Sequence, residues 1–272
     1  MGASLALAVR HHYPQITAVT RRQETADEAV KRGIVDSATI DFEVGLRDAD
    51  LIVLAAPVRT IIDQLGQMTG FLKKPVISQT VTDLGSTKTE IVAAMNALPE
   101  HMRAIGSHPM CGKEVTGLDA ADATLYQNKT WVLTRTQRTD DDSFANVKAL
   151  AEAAGAITIE LDAQRHDHLV SLISHLPYAV STALMQTVDA ASVNDDAVYR
   201  VAASGFRDTT RIAASDVSMM LDILMTNADA VLGSVRDFQF TLDQFAAMLE
   251  RRDEAGLRAY LEAAAQARRA RI

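Results

Sequence analysis

Leu51-Ile52-Val53-Leu54-Ala55-Ala56-Pro57 is the stretch on which the fold turns. A nearly all-apolar run without polar alternation reads as a strand buried on both faces, and such strands belong to parallel sheets covered by helices. Pro57 removes a backbone donor and stops it. Outward from this run, short β-rich segments alternate with amphipathic ones. Strands are predicted over residues 16–20, 51–55, 76–82, 103–106, 130–134 and 157–161, and helices over 4–11, 25–32, 60–67, 88–98 and 143–154, with Gly33 ending the second helix. Alternation of this kind predicts an open, mostly parallel α/β sheet with helices on both faces, occupying residues 1–162.

After Asp162 the texture changes. Of the 13 glycines only Gly205, Gly233 and Gly256 lie beyond it, and of the six prolines only Pro177. Apolar residues recur there at helical spacing over 169–185, 219–235 and 238–249, so residues 163–272 are read as an all-α domain. The chain has 272 residues, 48% hydrophobic and 23% charged, a balance suited to globular domains with ample core. No apolar run reaches membrane-spanning length and the N-terminus lacks a signal-peptide pattern, which gives the expectation of a cytoplasmic protein without a membrane partner. The lone Cys111 excludes an internal disulfide framework and a cysteine-rich zinc site, and no metal is expected. A net charge of -8, from 27 Lys+Arg and 35 Asp+Glu, speaks against nucleic acid. An anionic small molecule remains compatible if basic residues converge locally.

The N-terminus, Met1-Gly2-Ala3-Ser4 before an alanine-rich helix, looks like the end of a dinucleotide fingerprint, with Gly2 as the third glycine that allows close helix-strand packing. The expectation is therefore a Rossmann-like domain whose first strand would lie upstream of Met1. At the end of the 16–20 strand a carboxylate would favour NAD, but the sequence is Thr20-Arg21-Arg22. Guanidinium groups suit a ribose 2′-phosphate, which leans the cofactor toward NADP over NAD. A solvated basic turn explains the arginines equally well.

Gly106-Ser107-His108-Pro109-Met110-Cys111-Gly112-Lys113-Glu114 cannot propagate a helix and is predicted to be a loop at a strand end, where catalytic side chains are common. Alone it reads as an ordinary turn with a surface histidine. Its company changes that. Asp83-Leu84-Gly85-Ser86-Thr87-Lys88, the His108 loop, Ile173-Ser174-His175-Leu176-Pro177, and Ser204-Gly205-Phe206-Arg207-Asp208-Thr209-Thr210-Arg211-Ile212 occur in that order. Together they resemble the prephenate/arogenate dehydrogenase family of tyrosine biosynthesis, over essentially the whole chain.

The resemblance implies a nucleotide-binding domain followed by a helical dimerisation domain, hence a homodimer. It also implies an NAD(P)+-dependent oxidative decarboxylation of prephenate or arogenate. Such chemistry needs a base near neutral pKa, cations for the substrate carboxylates and a nicotinamide lying against the ring. His108 resembles the family's catalytic histidine. Ser86 matches the serine that orients it and touches the nicotinamide, although Ser86 also reads as an N-cap for a helix beginning near Thr87. His175, which by itself would be a buried structural histidine, becomes substrate-binding. Arg207 and Arg211, four apart on one helix face, repel by roughly 0.2–0.5 kcal/mol unless an anion lies between them. The position of Arg211 binds the ring carboxylate, and that of Arg207 lies near the substrate side chain, where pairing with Asp208 is the alternative. Glu114 matches a gating acid of some members or is a solvated charge. Cofactor contacts fall on Gly2, Thr20, Arg21, Arg22, Ala56, Pro57, Asp83 and Ser86.

Two departures matter. Cys111 stands where small residues are usual, and Met219-Met220 replace an aromatic of some prephenate-specific members, which opens the choice between prephenate and arogenate. Neither a mutase-like extension nor a long regulatory domain is seen, so the chain reads as monofunctional. Dehydrogenases of β-hydroxy acids share this two-domain plan but commonly use a lysine of the helical domain, and residues 164–251 contain none. A non-catalytic NADP-binding protein on the same fold is the remaining alternative.

Overall fold

The computed structural model describes residues 1–71, 79–112 and 117–271. The first half runs α1 (Gly2–Ala8), β1 (Thr17–Val19), α2 (Gln23–Lys31), β2 (Ser37–Thr39), α3 (Phe42–Leu46), β3 (Leu51–Leu54), α4 (Val58–Phe71), β4 (Thr80–Asp83), α5 (Thr89–Asn96), β5 (Arg103–Pro109), β6 (Thr130–Arg135), α6 (Asp141–Ala153) and β7 (Ile157–Glu160). Local chemistry marks the boundaries. Gly33 closes α2 at φ 66°, a left-handed conformation open to glycine. Asp140 opens α6 with a capping box to Ser143.

Strands β3-β4-β5-β6-β7 form one sheet in that order, parallel throughout except for the antiparallel β5–β6 pair. β1 and β2 form a separate parallel pair, and no ladder joins β1 to β3 among the described residues. The opening run behaves as its composition demands: Ile52 and Leu54 pack with Ile61, Leu65 and Ile91 on one face, while Leu51 and Val53 pack with Trp131, Leu133 and Val147 on the other. Each such buried aliphatic side chain stabilises the fold by about 1.5–3 kcal/mol.

Two expectations need correction. The His108 segment is not a loop: β5 extends through Pro109, because β6 turns back antiparallel and pairs Ser107 with Leu133 and His108 with Val132. Pro109 is tolerated there because it is the last strand residue. Ser86 is not the cap of the next helix. α5 begins at Thr89 with no cap from its own preceding side chains, and Asp167 of the second half supplies that role. The short β2 and α3 were not foreseen, and of the strand expected over 76–82 residues 76–78 lie outside the described residues.

The second half is helical: α7 (Ala163–Val170), a π-helical turn (Ser171–His175), α8 (Leu176–Ser192), α9 (Ala197–Arg200), α10 (Ser204–Thr210), a 3₁₀ turn (Arg211–Ala214), α11 (Val217–Thr226), α12 (Ala228–Glu250) and α13 (Glu254–Arg271). Pro177 lies in the first turn of α8, directly after the π turn. A wider turn accommodates the missing proline donor and its ring without ending the helical path. Asn227 divides the periodic stretch 219–235 into α11 and α12. The halves are pinned together by Asp167 on α5, by the Thr87 and Thr226 hydroxyls at 2.9 Å, and by the Arg59 N–H donating to Asp222 at 3.2 Å. Among the described residues no helix is long and apolar enough to cross a membrane.

Candidate active site

The floor of the site is tied together by two buried residues of the first half. Asp83, at the end of β4, accepts from the Ser107 N–H at 2.8 Å, the Gly85 N–H at 2.7 Å and the Lys88 ammonium. Lys88 also donates to the Ser107 carbonyl at 2.8 Å. Burial pushes the Lys88 ammonium pKa down, and Asp83 counteracts it. Gly85 has to be glycine in this turn, since a Cβ would come within 2.9 Å of the Asp83 carboxylate and 2.5 Å of Ile91. These contacts fix the carboxyl end of β5 and so aim His108.

His108 is partly buried and meets the second half directly: its Nδ1 lies 2.8 Å from Nε2 of His166. His166 is fully buried, and its Nδ1 lies 2.8 Å from the Asp167 carboxylate. Asp167 in turn accepts the Lys88 N–H at 2.7 Å and the Thr89 N–H at 2.8 Å. His175, 2% exposed, is fixed by Asn227, whose amide donates to the His175 Nδ1 at 3.2 Å and to the Asp167 carbonyl at 2.8 Å. Burial above all, with the Lys88 ammonium nearby, holds the His108 pKa well below the usual imidazole range. Burial likewise pushes His175 down to about 4, against the pull of Asp167. Both rings are therefore neutral at physiological pH.

The structure brings His108 and His175 into one cluster but gives Ser86 no hydrogen bond to His108 among the described residues; the Nδ1 partner is His166. Asp83 is also corrected: it is fully buried with its carboxylate consumed by Lys88, Ser107 and Gly85, which leaves it no surface for a cofactor. Arg207 is exposed on α10 and Arg211, also exposed, opens the 3₁₀ turn. That turn is held to α8 by the Ala213 N–H donating to Ser181. Glu114 lies outside the described residues. His166, Asp167, Lys88 and Asn227 were missed. A signal existed for the first: His166 and Val170, four apart, share the inward face of α7.

The residues present fit a dinucleotide. A Cβ added at Gly2 would sit 3.0 Å from the Ala55 Cβ, so α1 begins against the end of β3, beside the accessible Ala56 and Pro57. Thr20 ends β1 next to the exposed Arg21 and Arg22. All of these lie at or just beyond carboxyl ends of parallel strands, the place where open α/β sheets hold such ligands.

A parallel-sheet half with a nucleotide crevice, joined to a helical half at a neutral imidazole, defines a two-domain nicotinamide-dependent oxidoreductase. Sequence profiles resolve the class further: residues 5–160 match "Prephenate dehydrogenase, nucleotide-binding domain" and residues 162–263 match "Prephenate dehydrogenase, dimerization domain". The chain belongs to the prephenate dehydrogenase family. It is 33% identical to the prephenate dehydrogenase of Lactococcus lactis, over 99% of this chain and 74% of that protein. Its fold matches prephenate dehydrogenase from Aquifex aeolicus, solved with hydroxyphenyl propionate and NAD+, at a TM-score of 0.90 and 30% identity, covering 98% of this chain and 93% of that one. Arogenate dehydrogenase from Synechocystis matches at 0.81 and 29%, covering 100% and 96%.

Proposed function

We propose that the protein is a prephenate dehydrogenase, converting prephenate to 4-hydroxyphenylpyruvate and CO2 for tyrosine biosynthesis, with NADP+ as acceptor and with arogenate as the alternative substrate. The observation that carries this reading is the neutral, partly buried His108 at the carboxyl end of β5, facing the helical half. In this reading His108 accepts the ring hydroxyl proton as the carbonyl forms. When bound, the nicotinamide would supply the acceptor for the hydride that leaves the same carbon. Loss of the ring carboxylate as CO2 then makes the ring aromatic.

Arg211 holds that carboxylate, Arg207 lies near the side chain, and His175 presents its remaining ring nitrogen as a donor to substrate. Gly2, Thr20, Ala56, Pro57 and Ser86 hold the dinucleotide. The exposure of Arg21 and Arg22 just beyond β1, with no ion pair among the described residues, supports their taking a 2′-phosphate. The apolar side chains exposed on the helical half support a homodimer through that half.

The test is cofactor reduction with prephenate and arogenate, each with NAD+ and NADP+. Prephenate with NADP+ should give the highest kcat/KM; no reduction with either substrate overturns the reading. His108→Asn should lower kcat by roughly 10²–10⁴-fold with little change in binding. Arg21→Ala should weaken NADP+ far more than NAD+.

A further inference from the structure

From the buried chain His108–His166–Asp167 we infer that His166 and Asp167 are positioning residues that set the tautomer of His108, leaving its Nε2 bare to accept the substrate proton. This rests on the reading of His108 as the base.

Asp167 anchors the chain of hydrogen bonds. Burial alone would raise its carboxyl pKa, but hydrogen bonds from His166, Thr89 and Lys88 outweigh this and hold it below the usual value. It is a carboxylate and can only accept. The proton between it and His166 therefore sits on the His166 Nδ1. With that single proton on the His166 ring its Nε2 is an acceptor, and it receives its hydrogen bond from the His108 Nδ1 at 2.8 Å. The two rings meet edge-on, with planes 71° apart and centroids 5.1 Å apart. One proton on the His108 Nδ1 leaves the Nε2 lone pair uncovered.

The cost of this arrangement argues for a role. His166 and Asp167 are 0% and 3% exposed on the inward face of a helix where an aliphatic side chain would pack without desolvating an ion. Both His166 nitrogens are used, one on each neighbour. When the O–H bond of the substrate breaks and the proton joins the His108 Nε2, positive charge appears on that ring. An acceptor nitrogen backed by a carboxylate stabilises the charge without taking the proton. If Asp167 were lost, His166 would be free to carry its proton on Nε2. His108 would then have to accept at Nδ1 and carry its own proton on Nε2, where it blocks the base.

The test combines ¹⁵N NMR of His108 with kinetics of two variants, assayed with prephenate and NADP+. In the unaltered protein at about pH 7.5, His108 should show a protonated Nδ1 and an unprotonated Nε2. His166→Leu should lower kcat by roughly 10²–10³-fold with KM within about threefold, and should mix the His108 tautomers. His166→Gln can accept from His108 through Oε1 and donate to Asp167 through Nε2, so it should stay within about tenfold of wild-type kcat. A protonated Nε2 in the unaltered protein overturns the inference, whether or not the variants fold. So does His166→Leu with wild-type kcat while His108→Asn is inactive. If His108→Asn itself retained wild-type kcat, the base reading would fail instead, and the tautomer measurement would still stand by itself.

Discussion

In the sheet half, Ile61, Leu65 and Ile105 are wholly sealed, whereas in the helical half Phe240 is 65% exposed and Leu221, Met225, Leu232 and Leu242 also stand in solvent. The same kinds of side chain meet opposite fates. A doubly covered parallel sheet has two helical layers to hide its apolar residues, so the strands from β3 to β6 are sealed within this half, while Ile40, Val44 and Ile157 stay exposed at its margins. The helical half has few large buried residues, among them Val170, Met220, Ile223 and Val231. A single layer of long helices has two apolar sides and one neighbour, which leaves a face suited to a second copy of the chain. A sealed centre in one half and a broad apolar face in the other is what a nucleotide-binding domain joined to a dimerisation domain should look like.

Four experiments test that contrast. Leu65→Ala empties a closed core and should cost about 2–5 kcal/mol in urea unfolding, with the sedimentation of the protein unchanged; a change in mass would break the contrast. Acidification should act at the seam. Below the unfolded imidazole value of 6.5 the unfolded chain takes up a proton that native His175 refuses until about pH 4. Stability from this group is therefore full above pH 6.5 and falls between 6.5 and 4, by about 3 kcal/mol at the lower end. Unfolding midpoints measured across that range in parallel with His175→Gln should show a shallower slope in the variant; identical slopes would remove His175 as the cause. Phe240→Asp should leave the sheet half folded but weaken self-association by roughly 100-fold, about 2.7 kcal/mol, as read by analytical ultracentrifugation. Thr226→Val, which removes the Thr87 contact between halves, should cost about 1 kcal/mol without altering mass.

Much of this was legible in the chain. The run 51–55 announced a buried strand, and Gly33 marked the end of α2 because it acts through local backbone chemistry. The family motifs pointed to His108 and His175, two rings that the fold brings into one cluster. What could not be read was anything created by pairing between distant segments. β5 outruns the expected 103–106 because β6 supplies its ladder from some 25 residues away. Asp167 caps a helix that starts 78 residues earlier. Arg165-His166-Asp167-His168 reads as the polar start of a helix, and only its docking against β5 turns His166 into the neighbour of His108. Asp83 was misjudged for the same reason, since a carboxylate at a strand end looks available until Lys88 is seen to fold back onto it.

The π turn between α7 and α8 has a consequence for how the chain could vary. It holds one residue more than an α-helical turn, and Ile173 within it is 67% exposed. In a regular α-helix one extra residue would swing everything after it by about 100° about the axis, and the wider π turn absorbs that rotation where it arises. Deleting Ile173 would therefore leave α8 facing the 3₁₀ turn that carries Arg211 as it does now, and its effect would fall on the turn itself, where His175 meets Asn227. The extra residue gives His175 its place without disturbing the helix that follows.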